Sequence, residues 1–106
     1  MASKSDIETA RGQLCDLFDV LSDQTRLQIV MYLANGEHNV MEICEHLNLH
    51  QHTISHHLRI LRMHRLVVDQ RTGKNVAYTL DDSIKSSKTS LKFSMLPYSV
   101  VIDETR

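Results

Sequence analysis

The sequence predicts one mainly α-helical domain that carries a small β hairpin. Apolar residues recur at spacings of three and four in four successive stretches before residue 64, as they do along one face of a helix. Two β-rich runs, LVVDQR and NVAYTL, follow these stretches and are separated only by TGK, in which Gly73 permits a tight reversal. A chain of 106 residues fits a single domain over residues 1–106 with one core.

The first two helices are predicted in the N-terminal third of the chain. The first runs from Ile7 to Leu21, and Ser22 is the predicted N-cap of the second, with Asp23 in its first turn. The pair at 35–36, Asn-Gly, ends the second helix because these residues tolerate a left-handed conformation. The expected apolar stripes are Leu14, Leu17, Phe18 and Leu21 in the first helix, and Leu27, Val30, Met31 and Leu33 in the second.

Residues 40–63 have the pattern of two short helices joined by a tight turn. VMEICEHL keeps helical spacing up to Asn48, and NLHQ leads directly into a basic helix from about Gln51 to Met63. Such a pair is a helix-turn-helix motif, and with the hairpin at about 66–80 it predicts a winged helix-turn-helix fold. The expected core positions are Val40, Ile43, Cys44 and Leu47 in the first of these helices, and Ile54, Leu58 and Leu61 in the second.

The C-terminal segment, residues 84–106, is predicted to be extended or a hairpin. The stretch SLKFSMLPYSVVIDE alternates apolar and polar residues and ends in a β-branched cluster. A helical stripe through Leu91, Met95, Tyr98 and Ile102 is the alternative, but Pro97 would interrupt it at a cost of about 3 kcal/mol. We therefore expect an extra β segment or a dimerisation element at this end of the chain.

The charge of the chain changes sign along its length. Residues 1–49 hold three basic and eight acidic side chains, a net charge of −5, although the whole chain carries only −1. Residues 50–78 hold five basic and one acidic side chain, a net charge of +4, with five further histidines. A local basic segment of this kind indicates an anionic partner.

Neither a membrane segment nor a cysteine motif is evident in the sequence. No window approaches the roughly 18 uninterrupted apolar residues of a membrane span, so we expect a soluble, cytoplasmic protein without membrane partners. Cys15 and Cys44 are far apart and have no CxxC spacing, which argues against a zinc knuckle or a disulfide scaffold. We expect them to be reduced, buried thiols on helical stripes.

Residues 21–80 closely resemble the ArsR/SmtB family of dimeric winged-helix repressors. The resemblance is carried by D-TRL-I---L in the second helix, by EI---L-L-Q-T-S-HL--L across the helix-turn-helix, and by LV---R-GK-V-Y-L through the wing. It implies that the second helix of the motif enters the major groove of DNA and that the wing contacts the backbone or the minor groove. It also implies a repressor that a signal releases from its operator; the identity of that signal is unknown.

Two departures from the family pattern argue against metal sensing. In arsenic-sensing and antimony-sensing members the first helix of the motif carries a cysteine box, of which only Cys44 remains, since Asn39 and Met41 occupy its first two positions. Zinc, cobalt and nickel sensors use carboxylates and histidines on a C-terminal helix, and no histidine follows His64. We therefore assign no metal and no cofactor to the chain.

One face of the basic helix carries the candidate DNA-binding residues. His52, Ser55, His56 and Arg59 have spacings of three, four and seven, which place them together. Residues in the first turn usually reach base edges, and arginine reads guanine or binds phosphate. The predicted DNA contacts are Gln51, His52, Thr53, Ser55, His56, Arg59, Arg62, and, at the wing tip, Arg71 and Lys74.

The histidines of HQHTISHH are expected to separate by face. His57 shares the apolar side and is predicted to be a structural imidazole with a hydrogen-bonded partner. His52 and His56 are one turn apart, but nothing nearby completes the three or four ligands of a zinc site. We instead predict a titration effect: imidazoles beside phosphates gain positive charge as the pH falls, which tightens DNA binding.

A homodimer and a palindromic operator complete the predicted function. Phe18, Phe93, Tyr98 and Val100 are more apolar surface than one small core needs, so we expect the first helix and the C-terminal segment to form the dimer. Two alternatives remain, a winged-helix protein-interaction module and a thiol- or metal-responsive sensor that uses Cys15 and Cys44. An enzyme is not expected, because no catalytic constellation is present in the sequence.

Overall fold

The computed structural model describes residues 2–105 and has the predicted winged helix-turn-helix architecture. Within these residues the helices are α1 (Lys4–Leu21), α2 (Gln24–Leu33), α3 (Val40–Leu47) and α4 (Gln51–Met63). The strands are β1 (His38–Asn39), β2 (Val67–Thr72), β3 (Asn75–Leu80), β4 (Lys85–Ser86), β5 (Ser90–Met95) and β6 (Tyr98–Asp103). None of the helices in this part of the chain has the length and apolar character needed to cross a membrane.

The boundary between α1 and α2 differs from the prediction by one residue. Ser22 has the helical backbone angles φ −72° and ψ −14°, and its hydroxyl donates to the Asp19 carbonyl at 2.6 Å, so it ends α1. Asp23 has the extended angles of an N-cap, and its carboxylate accepts from the Arg26 backbone N–H at 3.0 Å. The prediction that Ser22 caps α2 is therefore wrong.

The buried face of α2 is also rotated from the predicted one. Ile29, Val30 and Leu33 are buried, whereas Met31 is 42% exposed and Leu27 is only half-buried. Apolar residues stand at most positions in 27–33, so this segment permits more than one stripe. Packing against α1, α3 and α4 selects the stripe through Ile29.

The helix-turn-helix itself follows the prediction. Asn39 caps α3 through a capping box, accepting from the Glu42 N–H at 2.8 Å while the Glu42 carboxylate accepts from the Asn39 N–H at 2.9 Å. Asn48 ends α3 in the left-handed conformation, with φ 55° and ψ 51°. In α4 the residues Ile54, Leu58 and Leu61 are at most 1% exposed, as predicted.

The wing is a three-stranded sheet in the order β1-β3-β2. Strands β2 and β3 pair antiparallel from Val67↔Leu80 to Thr72↔Asn75, and Gly73 in the turn has φ 62°, which confirms the predicted hairpin. Strand β1 was not predicted, because two residues are too few to show an alternating pattern. It places His38 opposite Tyr78 and joins the start of α3 to the wing.

Tyr32 lies between two imidazoles and ties α2 to α3 and β1. The rings of His38 and His46 each stack on it with centroids 3.9 Å away and planes within 13°. Since a ring face accommodates one stacked neighbour, the two imidazoles occupy opposite faces of the phenol ring. The His38 ring also lies 3.5 Å from the carboxylate of Glu42, a residue in the first turn of α3. The stacked rings therefore contact the helix-turn-helix where it begins.

The C-terminal segment forms a second antiparallel sheet in the order β4-β5-β6, which confirms the predicted hairpin. Phe93 on β5 is only 4% exposed and belongs to the same core cluster as the helices. It is therefore not available as dimer surface, contrary to the prediction. Tyr98 and Val100 on β6 are half-buried, and Phe18 on α1 is 54% exposed.

Candidate nucleic-acid interface

Helix α4 is held from its inner side and presents a polar outer face. The buried side chains of Ile54, Leu58 and Leu61 anchor it to the core shared with α2 and α3. Six of the predicted DNA contacts on α4 are exposed away from this core, and Thr53 is half-buried at the margin between the two sides. The exposed six are Gln51, His52, Ser55, His56, Arg59 and Arg62.

The start of α4 has no side-chain cap. His50 occupies the N-cap position with an extended backbone, but its imidazole makes no capping hydrogen bond. The first-turn N–H groups of a helix have no partners within the helix and carry a partial positive charge. The unpaired backbone N–H groups and the exposed side chains of the first turn therefore lie together at the N-terminal end of α4, which begins with Gln51.

His57 has the structural role that its position on the apolar side predicts. Its ring is half-buried, and its Nδ1 lies 3.4 Å from Nη1 of Arg26. A guanidinium can only donate, so Nδ1 is the acceptor and the neutral ring carries its proton on Nε2. Burial is the main cause that lowers the pKa of His57, and the charges of Arg26 and His56 act in the same direction against that of Asp23.

Arg26 is a site-supporting residue that the sequence reasoning missed. Its Nε donates to the Val20 carbonyl at 2.7 Å, and its Nη1 lies 4.0 Å from the Asp23 carboxylate. One side chain thus connects the end of α1, the start of α2 and the inner side of α4. The sequence shows Arg26 only as part of the TRL motif. That motif does not reveal that the partner of Arg26 is His57, which lies 31 positions away.

Arg62 is shared between α4 and the wing. Its Nη1 lies 3.6 Å from the Asp69 carboxylate on β2, and both side chains are partly exposed. Asp69 therefore neutralises part of the positive charge of Arg62, which the sequence analysis predicted to contact DNA. Exposed ion pairs of this kind contribute about 0–1 kcal/mol, so Arg62 can exchange Asp69 for a phosphate at little cost.

The remaining basic residues lie on the wing and at its base. Arg71 and Lys74 are exposed on either side of the Gly73 turn, at the tip of the hairpin. Arg65 is exposed with a positive φ of 59° where α4 leads into β2. Its charge helps to lower the pKa of Asp81, after the hydrogen bonds that Ser83 donates to the same carboxylate.

Neither the histidines nor the cysteines form a metal site in the described structure. Among residues 2–105 no three histidine, cysteine or acidic side chains come close enough to hold a metal ion. Cys44 is buried in α3 as expected, but Cys15 is exposed on α1, so the prediction that both are buried is wrong for Cys15. The two cysteines also lie on helices with different neighbours. Helix α1, which carries Cys15, packs on α2, β5 and β6, whereas α3, which carries Cys44, packs on α2, α4, β1 and β3.

Comparison with protein families gives one match over the helix-turn-helix. Residues 23–68 match the model described as "Bacterial regulatory protein, arsR family". Similar proteins include the transcriptional repressor SdpR of Bacillus subtilis, 35% identical over 65% of this chain and 77% of its own length. The arsenical resistance operon repressor of Escherichia coli is 44% identical over 64% of this chain and 59% of its own length.

The match to one relative spans only about half of that relative's length. The transcriptional repressor SmtB homolog of Synechocystis is 38% identical over 67% of this chain, and the match spans only 54% of that protein.

Solved structures with the same fold include two bacterial regulators. Reduced HlyU from Vibrio cholerae superposes with a TM-score of 0.68 at 31% identity and covers 73% of this chain and 81% of its own. The homodimeric winged helix-turn-helix domain of Mb0332 from Mycobacterium bovis has a TM-score of 0.64 at 32% identity and covers 76% of this chain and 75% of its own. In each superposition about a quarter of this chain has no counterpart.

Proposed function

The chain belongs to the arsR family of bacterial regulatory proteins, and we propose that it is a homodimeric transcriptional repressor that binds a palindromic DNA operator in the cytoplasm. The observation that carries this proposal is the outer face of α4, where exposed polar and basic side chains extend from a helix start without a side-chain cap to Arg62. The members of this family are transcriptional regulators rather than enzymes, and no catalytic role is assigned to these residues.

In the proposed complex α4 lies in the major groove. Gln51, His52 and Thr53 in its first turn meet base edges, where glutamine pairs with adenine and imidazole donates or accepts according to its protonation. Ser55, His56 and Arg59 lie farther along the same face and reach bases or phosphates. The rigid attachment of α4 through Ile54, Leu58 and Leu61 holds these donors in register with the groove.

The wing supplies contacts that carry no sequence information. Arg71 and Lys74 at its tip bind the backbone or the edge of the minor groove, and Arg62 joins them when it leaves Asp69. The paired strands and the Gly73 turn fix the distance of this tip from α4. Charge supports the arrangement, since residues 50–78 carry +4 while residues 1–49 carry −5.

A homodimer matches a palindromic site by symmetry. Two α4 helices about 34 Å apart would enter successive major grooves on one side of the duplex. The Mb0332 domain of Mycobacterium bovis is homodimeric, and this chain exposes apolar side chains on α1 and on the C-terminal sheet. Phe18, Leu96 and Val101 are 54%, 83% and 51% exposed, and we assign them to the dimer surface in place of Phe93.

The test is DNA binding by the full chain, measured by fluorescence anisotropy on the duplex upstream of its own gene. We expect tighter binding than to an unrelated duplex at the same salt concentration. Arg59→Ala should weaken binding by about 1–3 kcal/mol if Arg59 reads a base, or lower the salt slope by about 1 if it binds phosphate. Arg11→Ala, which removes an exposed arginine from α1, is the matched control and should change neither.

Equal binding to both duplexes, or equal effects of the two arginine substitutions, would contradict the proposal. If the chain binds an acidic protein and does not bind DNA, the alternative of a protein-interaction module is favoured.

A further inference from the structure

Within residues 2–105, no other strand pairs with the outer edge of strand β6. The C-terminal sheet has the order β4-β5-β6, so β6 pairs with β5 on one side only. Its side chains alternate between half-buried and exposed, because one face of this sheet packs against α1. Both an edge and an outer face of β6 are therefore accessible.

The hydrogen-bond pattern identifies which residues face the open edge. The Glu104 N–H donates to the Thr89 carbonyl at 2.7 Å, just beyond the register pairs of β5 and β6. In an antiparallel pair the hydrogen-bonded positions alternate, so Ile102, Val100 and Tyr98 are the residues of β6 that bond to β5. The N–H and C=O groups of the residues between them, Ser99, Val101 and Asp103, point away from β5.

The β6 edge has few of the features that normally prevent strand addition. Proteins protect such edges with charged side chains, lysine above all, with proline or with a bulge, and the only charged residue at the edge-facing positions of β6 is Asp103 at its end. The strand reads YSVVID without lysine or proline, and its register with β5 is continuous from Tyr98 to Asp103, without a bulge. The side chains at its three edge-facing positions are exposed, with Val101 at 51%.

We propose that the β6 edge pairs antiparallel with β6 of a second copy of this chain, with Val101 opposite the partner's Val101 at the two-fold axis. This inference rests on the homodimer of the proposed function and specifies how its C-terminal part is built. The pairing joins two three-stranded sheets into one continuous sheet and gives partners to the three edge-facing residues of each chain.

The sequence of β6 is complementary to itself in this register. The two Val101 side chains meet in an apolar contact, and Ser99 lies opposite the partner's Asp103, so that a hydroxyl donor faces a carboxylate. No like charges stand directly opposite each other. Lys92, across from Val101 on β5, lies diagonal to Asp103 of its own chain on the same outer face, where it offsets the acidic charge.

A proline at an edge-facing position tests this pairing without breaking the hairpin. Val101→Pro removes an N–H that makes no bond to β5, and proline is tolerated on edge strands at such positions. By symmetry one substitution removes two intermolecular hydrogen bonds, which should weaken the dimer by about 30-fold. Val101→Thr keeps the N–H and the β-branched shape but places a hydroxyl in the apolar contact, so as the control it should weaken the dimer far less than Val101→Pro does.

Sedimentation equilibrium of the full chain, with circular dichroism to monitor folding, gives the dissociation constants. A dimeric wild type whose Val101→Pro variant is weakened far more than its Val101→Thr variant supports the inference. A dimeric wild type whose Val101→Pro variant is folded and equally tight overturns the β6 pairing alone, and the proposed function remains. A wild type that is monomeric but binds the operator overturns the homodimer and the β6 pairing together.

Cross-linking provides a second measurement should Val101→Pro fail to fold. In a Cys15→Ser background, Val101→Cys should form a covalent dimer on mild oxidation because the two-fold axis places the substituted positions opposite each other. Ser99→Cys lies opposite the partner's Asp103 and should cross-link far less. Equal cross-linking of both variants, or none by either, overturns the proposed register.

Discussion

At the scale of single residues, His57 and Arg26 contact each other on the inner side of α4. The Arg26 guanidinium donates to Nδ1 of His57 and to the Val20 carbonyl, so a neutral imidazole is the form that the folded state accommodates. Protonation of Nδ1 would remove the acceptor and bring two positive charges together. The contact between α2 and α4 through these two side chains therefore requires His57 to be neutral.

Stability should consequently fall below neutral pH. Burial lowers the pKa of His57, so the unfolded chain, whose imidazole titrates near 6.5, takes up the proton first. The free energy of unfolding is then highest above about pH 6.5 and falls as the pH drops through 6.5 towards the lower pKa of the folded state. Urea unfolding at pH 8 and pH 5 should show a larger decrease for the wild type than for His57→Asn, whose amide oxygen keeps an acceptor but does not titrate. The same decrease in both would exclude His57 as its source.

His52 and His56, on the outer side, should give the opposite response in DNA binding. Both imidazoles are exposed, and we place them beside the DNA backbone and base edges, where neighbouring phosphates favour a positively charged partner. Operator affinity at fixed salt should be higher at pH 6 than at pH 8, and a His52→Gln, His56→Gln double variant should lose most of this difference. Equal affinity of the wild type at the two pH values would refute a titrating interface.

The division of the histidines by face was predictable at this scale, whereas their partners were not. Helical spacing alone places His57 on the same side as Leu58 and Leu61, because all three residues belong to one helix. The contacts from Arg26 to His57 and from Arg62 to Asp69 join different elements, and no local pattern specifies them. The exposure of Cys15 was mispredicted for a related reason, since its burial depends on what packs against α1.

At the scale of elements, the helix-turn-helix depends on the capping box at Asn39. Its side chain and that of Glu42 satisfy each other's backbone N–H at the start of α3. The hydrogen bond from the Asn39 backbone N–H is the main cause that lowers the pKa of Glu42, as expected for a carboxylate at a helix N-terminus. The start of α3 is thus fixed by local chemistry.

Removing this cap should destabilise the protein measurably. Asn39→Ala should lower the free energy of unfolding by about 1 kcal/mol, because the Glu42 N–H loses its acceptor. Asn39→Ser retains a capping oxygen and should lose much less. Chemical denaturation of the two variants beside the wild type is the measurement, and a comparable loss in both would show that the cap is not the cause.

The elements that were predicted with correct boundaries are those with strong local signals. Helices α3 and α4 are delimited by Asn48 and a short turn, and the wing by Gly73. The start of α2 was displaced because Ser22 and Asp23 are both good N-caps, and only the course of α1 decides between them. Pro97 correctly excluded a C-terminal helix, but the core position of Phe93 follows from the packing of the sheet on α1.

At the scale of the whole molecule, sequence reading, backbone binding and dimerisation are assigned to three separate parts of the chain. We propose that helix α4 reads bases, that the basic wing binds phosphates, and that α1 with the C-terminal sheet joins two copies. The charge distribution supports this proposal, because a basic segment of +4 follows an acidic one of −5 although the total charge is −1. Because the three roles lie in separate parts, a substitution that impairs one part should leave the roles of the other two unchanged.

The most direct measurement is selection from a library of random DNA duplexes by the wild type and by two variants. The wild type should enrich a palindrome whose half-sites lie about one helical turn apart. Lys74→Ala should enrich the same sequence with lower affinity, whereas Gln51→Ala should enrich a changed half-site, because Gln51 is placed against base edges and Lys74 against the backbone. Failure of the wild type to enrich any palindrome, or the same enriched sequence and loss of affinity with both variants, would contradict this division of roles.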